Sequence, residues 1–270
     1  KWFINKLCDE RKAQYSTFKN AKKVIKTGSE RTWEIVWHER IERVRKRALG
    51  MVVETVPVIN VSKPQPTIKT PVVSNLVIPE ASKDWLEPPS GKFKGIVGFN
   101  GSAEEFEAYL KTLKFTTFIP KFITLHNTYQ PSLDAWYATP GGTRQRLKNI
   151  WVRYKKLNWA GGPHLFVEAN DDTRPFWVGN PLNQSGVHSP SFNSSSWGVE
   201  MVGDYGGNTP FDPEVKANTV KLLAILHKFL GISANTLKFH KDDPRTSHDC
   251  PGKNVSKEEM IKLVKQEMEK

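Results

Sequence analysis

Acidic residues, cysteines and long apolar runs are what this chain is short of. Its 28 Asp and Glu face 40 Lys and Arg, which leaves a formal charge of +12 over 270 residues. Only two cysteines occur, Cys8 and Cys250, too few for a disulfide framework. No apolar stretch approaches the roughly 18–20 residues that a membrane-crossing helix needs, so no transmembrane span is expected. No internal repeat is visible, which argues against solenoids and propellers. A packed core is still within reach, because 38% of the residues are hydrophobic and 11% aromatic.

The positive charge is uneven. Residues 1–50 hold 14 Lys and Arg against 6 Asp and Glu. Trp33, Trp37, Ile41, Val44 and Ala48 recur at steps of three or four, which is one apolar helix face. Arg40, Arg43, Arg45, Lys46 and Arg47 crowd the other positions. Residues 1–54 are therefore expected to form a basic helical arm suited to an anionic envelope surface or a protein partner. No base-reading motif accompanies the charge, so no specific nucleic acid is expected. Seven of the 18 prolines then fall between Pro57 and Pro89, which marks residues 55–94 as an extended linker.

Residues 95–270 read as one globular domain. Ser102 and Glu105 have capping-box spacing ahead of Phe106, Tyr109, Leu110 and Leu113. Short apolar runs at 122–126, 164–168, 176–178 and 198–202 read as strands. Helices are expected over 143–157, from Asp212–Pro213 to Gly231, and after Ser256. Strands alternating with helices predict an α/β fold around one sheet.

The chemistry concentrates in residues 239–252. His240 and Cys250 stand ten residues apart in a loop broken by Pro244 and Pro251. Imidazole and thiolate are the side chains zinc takes most readily, and a catalytic zinc uses three protein ligands. His126, at the end of an apolar strand and followed by Asn127, is the third candidate. Ligands gather at the carboxyl ends of strands in such sheets. Glu200 interrupts the apolar run Gly198–Val202, and a carboxyl there is costly unless paired or used. Strand alternation puts it on the face opposite Val199 and Met201, poised as a general base for a water that a metal activates. His248 is too close to Cys250 to share a metal easily and is placed instead to donate to an oxyanion.

His126-Asn-Thr, Gly198-Val-Glu200 and the run from His240 to Cys250-Pro-Gly252 resemble the zinc-dependent N-acetylmuramoyl-L-alanine amidases of the type-2 amidase and peptidoglycan-recognition superfamily, phage and prophage endolysins above all. The resemblance covers about residues 96–265. It implies a mixed, mostly parallel central sheet flanked by helices, with Zn2+ held by His126, His240 and Cys250. It assigns Glu200 to water activation and His248 to stabilising the intermediate. The implied reaction is hydrolysis of the amide between N-acetylmuramic acid and L-alanine. The implied setting is the periplasm or cell wall, reached from the host cytoplasm or as a virion component.

The chain departs from that pattern at one point. A branch of the family carries a catalytic Tyr in a Gly-Tyr-His segment, and here the segment is Gly162-Pro163-His164. This favours Glu200 as the acid-base residue. Asn127, His164 and His188 remain as candidates to line the substrate groove.

Overall fold

The structure, a computed structural model, describes residues 86–169 and 174–270. The basic arm and the linker as far as residue 85 lie outside the described residues. In chain order the elements are β1 (Asn100–Gly101), α1 (Ala103–Thr112), β2 (Phe122–Asn127), α2 (Leu133–Tyr137), α3 (Gly142–Lys156), β3 (Leu165–Val167), β4 (Phe176–Val178), β5 (Ser196–Met201), α4 (Pro213–Leu230), β6 (Lys238–Phe239) and α5 (Lys257–Met268).

Local chemistry sets several of these boundaries. Ser102 Oγ accepts the Glu105 N–H, and Glu105 Oε2 accepts the Ser102 N–H, so two otherwise unpaired donors at the start of α1 are satisfied. Asp212 Oδ1 accepts from the Glu214 and Val215 N–H groups at the start of α4. That helix stops at Gly231, which is left-handed at φ 64°. The five-residue α2 was not foreseen. It is too short to show a period, and it is held by its Ser132 cap and by burial of Trp136.

The strands pair in the order β1-β4-β3-β5-β2-β6. The four strands β3, β5, β2 and β6 run parallel, and β4 and β1 complete one edge antiparallel. This is the mixed, mostly parallel α/β sheet expected. Each face buries its own core, because alternate side chains point to opposite sides. Ile123, Leu125, Val199 and Met201 pack with Phe106 of α1, Leu222 and Leu226 of α4, and Met260 and Val264 of α5. On the other face Phe166 and Trp177 meet Trp136 of α2 and Leu147 and Trp151 of α3. Burying one such aromatic side chain contributes about 2–3 kcal/mol.

Leu86, Phe93 and Ile96 belong to that second core. Residues 86–94, read from their prolines as linker, are therefore packed on the domain. Backbone pairing of Glu87 with Ile96 and of Ser90 with Phe93 explains why. Two prolines in sequence, Pro88 and Pro89, sit in one arm of this small hairpin, whose turn is Gly91–Lys92, rather than in a spacer.

One buried carboxylate joins the layers. Glu168, just past β3, accepts from the indole N–H groups of Trp136 and Trp177 and from the Thr143 hydroxyl. Its backbone carbonyl accepts from Asn218 of α4 on the opposite face. These bonds fix the α2–α3 layer against the end of the sheet where the polar residues collect.

Candidate metal centre

Parallel β2, β5 and β6 bring their carboxyl ends together. His126 is the penultimate residue of β2, and His240 follows directly after β6. Glu200 of β5 is the ladder partner of His126. The loop beyond His240 then returns. The Lys241 N–H donates to the Cys250 carbonyl at 2.9 Å, and Lys241 Nζ reaches Asp249 at 3.2 Å. Gly252 closes the return at φ 106°, where a Cβ would stand 2.3 Å from the Tyr205 carbonyl carbon. Only glycine permits that approach.

The result is a compact donor set. One ligand atom from each of His126, His240 and Cys250 lies within 4.8 Å of the other two. Cys250 Sγ is 3.9 Å from His126 Nδ1, which identifies Nδ1 as the inward nitrogen. The Asn127 backbone N–H points at Cys250 Sγ from 3.4 Å, a contact that favours thiolate. A tetrahedral zinc with bonds of about 2.0–2.3 Å spaces its ligand atoms by roughly 3.3–3.8 Å, so small side-chain adjustments complete the fit.

The electrostatics agree with a cation site. Burial, followed by the neighbouring imidazoles of His188, His240 and His164, holds His126 well below the ordinary histidine range. Burial and the adjacent His248 lower His240. Both imidazoles thus keep a lone pair to offer. Burial and the nearby Glu200 carboxyl push the Cys250 thiol far up. Burial likewise pushes Glu200 up to about 8. A divalent cation held there would supply positive charge and draw both acids back towards ionisation.

The other predicted residues divide. His248 is exposed at the rim, its ring 5.7 Å from that of His240. Asn127 contributes its backbone N–H, while alternation turns its side chain to the face away from His126. His164 is a correction. It is fully buried, its Nδ1 accepts the Gly198 N–H at 3.0 Å, and its Nε2 meets the Gln184 carbonyl at 2.9 Å. With both ring nitrogens engaged by backbone it lines no groove. His188 is half-exposed, with its Nδ1 3.0 Å from His126 Nε2.

Two residues at the site escaped the sequence reading. Asp243 is buried in the His240–Cys250 loop, accepts from the Ser189 hydroxyl and the Ser191 N–H, and so ties the His188 loop to it. Tyr154 of α3 lies against Gly162, at 2.5 Å from a Cβ built there. Burial and the Glu200 carboxyl raise its phenol. A tyrosine ring thus abuts the Gly162-Pro163-His164 segment. Neither residue has a motif that would have flagged it.

The family profile described as N-acetylmuramoyl-L-alanine amidase matches residues 116–253, just over half of the chain, and includes all three ligand candidates and Glu200. Peptidoglycan-recognition protein SC2 of Drosophila simulans is 28% identical over 111 residues, which are 41% of this chain and 58% of that protein. The chain therefore spans well under two thirds of that relative. Among solved structures, the amidase LysC of Clostridium intestinale is 26% identical with a TM-score of 0.44, over 57% of this chain and 95% of that one. Drosophila PGRP-LB is 21% identical with a TM-score of 0.42, over 52% of this chain and 78% of that one. By the match over residues 116–253, the chain belongs to the N-acetylmuramoyl-L-alanine amidase family.

Proposed function

We propose that this protein is a zinc-dependent hydrolase that cleaves the amide between N-acetylmuramic acid and L-alanine in peptidoglycan. The observation that supports this most directly is the convergence of His126, His240 and Cys250 beside Glu200 at one end of a parallel sheet. A zinc ion held by those three side chains supplies a Lewis acid that polarises the amide carbonyl and acidifies water.

The chain's own residues do the rest. Glu200 takes the proton of the attacking water and returns it to the amide nitrogen as the C–N bond breaks. This leaves a carboxylic acid on the lactyl group and a free amine on L-alanine. A positioned carboxylate of this kind contributes about 10²–10⁴-fold. His248, exposed at the rim, donates to the carbonyl oxygen as it gains negative charge. The Asn127 N–H and the Asp243-anchored loops hold the ligands in register. The setting is the bacterial cell wall, in lysis or wall penetration of the phage type, with residues 1–54 meeting an anionic envelope surface or a virion protein.

The test pairs zinc content with the release of new amino termini from purified peptidoglycan, before and after chelation. One zinc per chain and chelator-sensitive exposure of L-alanine amines is the expected result. Zinc without any cleavage would replace the hydrolase with a peptidoglycan-recognition module. A chain that takes up no zinc would overturn the ligand assignment.

A further inference from the structure

His188 is a half-exposed imidazole outside the three-residue ligand set, and its ring meets that of His126. Its position is over-determined. Asn193 Oδ1 accepts the His188 N–H at 2.7 Å and the Ser189 N–H at 2.9 Å, which fixes the loop. Asp243 clamps the same loop through Ser189 and Ser191. The ring then lies over Gly198 of β5, where a Cβ would stand 2.5 Å from His188 Cγ. A glycine inside a strand is a cost unless something must approach the backbone closely. Here the approaching group is His188, and the approach carries its Nδ1 to 3.0 Å from His126 Nε2.

That contact decides a tautomer. Two neutral ring nitrogens at hydrogen-bond distance require one donor and one acceptor. The Nδ1 of His126 faces Cys250 and the donor cluster, and a nitrogen that binds a cation must be bare. The proton of His126 therefore sits on Nε2 and is donated to His188 Nδ1. His188 in turn carries its proton on Nε2, which is buried without a hydrogen bond of ordinary length, beside the Ser196 backbone.

We propose that His188 is a positioning residue of the metal centre, which accepts the Nε2–H of His126 and so keeps the bare Nδ1 of His126 turned to the cation. The inference rests on the metal-centre reading above. A ligating histidine is commonly oriented by an acceptor on its other nitrogen, and loss of such a partner lowers metal affinity about 10–100-fold. The usual acceptor is a carboxylate or a carbonyl. A neutral imidazole adds no charge to the site, so the three ligands keep a single negative charge with the thiolate.

The experiment measures zinc affinity of the full chain by competition with a chromophoric chelator, for wild type, His188→Ala and His188→Asn. Melting temperatures of the metal-free forms are recorded alongside. Asn places an amide oxygen near the position of Nδ1 and can accept the same proton. His188→Ala is expected to weaken zinc binding about 10–100-fold, and His188→Asn to recover most of that loss. Wild-type affinity in His188→Ala would overturn the positioning role alone. Equal losses in both variants, matched by equal falls in metal-free melting temperature, would assign the effect to packing and overturn it too. A wild-type chain that binds no zinc would overturn the metal centre itself, a result distinct from the other two.

Discussion

Glu200 and His126 are direct partners in the parallel ladder between β5 and β2, so their side chains leave the sheet on the same face. Glu200 is flanked directly by Val199 and Met201, which face the opposite core. The sheet register thus sets how far the carboxylate stands from His126. A site built on strands is held more tightly than one built on loops.

The first prediction uses that register. Glu200→Gln preserves shape and hydrogen-bonding size but cannot accept the water proton. Turnover on peptidoglycan should fall by about 10²–10⁴, with zinc content unchanged. Activity within a few-fold of wild type would remove Glu200 from the role of base.

Cys250→Ser separates metal binding from folding. The serine hydroxyl can still accept the Asn127 N–H that now points at the thiol, so the metal-free domain should melt near the wild-type temperature. Zinc affinity should fall roughly 100-fold or more, because one of three protein ligands has been exchanged for a poor one. Retention of zinc at wild-type affinity would show that the ion sits elsewhere.

What could be read from the sequence was whatever depends on neighbours in the chain. The Ser102–Glu105 box, the Asp212 cap and the Gly231 stop are local devices, and each stands where its spacing put it. His126, His240 and Glu200 stand out in the sequence because each interrupts or ends an apolar run, and Cys250 because it lies ten residues from His240 in a polar loop broken by prolines. The rest depends on which distant residue a side chain meets. His164 and His188 look alike in sequence, yet one is spent on the Gly198 N–H and the Gln184 carbonyl and the other on His126. Pro88 and Pro89 carry the same composition signal in a linker and in the arm of a hairpin. Only the partners of Leu86, Phe93 and Ile96 distinguish the two.

Glu168 gives a prediction about stability alone. Its two oxygens accept from two indoles and a hydroxyl in a fully buried setting. Glu168→Gln turns one acceptor into an NH2 donor that must face another donor. Leaving such groups unpaired costs about 1–3 kcal/mol, and roughly 2–4 °C of melting temperature accompanies each kcal/mol in a domain of this size. Differential scanning calorimetry should show the fall, with zinc stoichiometry intact below the transition. An unchanged melting temperature would mean that the carboxylate contributes no net stability.

The last prediction concerns acid. His227 of α4 is fully buried, and burial lowers it to about 4 from the ordinary 6.5, only partly opposed by the backbone of Ile232 and Ser233. His164 is likewise lowered to about 4. A folded-state pKa below the unfolded one means that folding favours the neutral ring. The contribution is complete above 6.5 and is lost as pH falls from 6.5 towards 4. At pH 5 the loss is about 2 kcal/mol for each such histidine. His227→Leu removes one titrating group without touching the metal cluster. Its stability, measured by urea unfolding at pH 7 and pH 5, should fall by about 2 kcal/mol less than that of wild type over the same interval. Because the comparison is a difference between two chains, acid effects at His126, His188 and His240 cancel. Parallel pH profiles for the two proteins would show that His227 accepts its proton in the folded state at no cost, and that its burial is not what the fold protects.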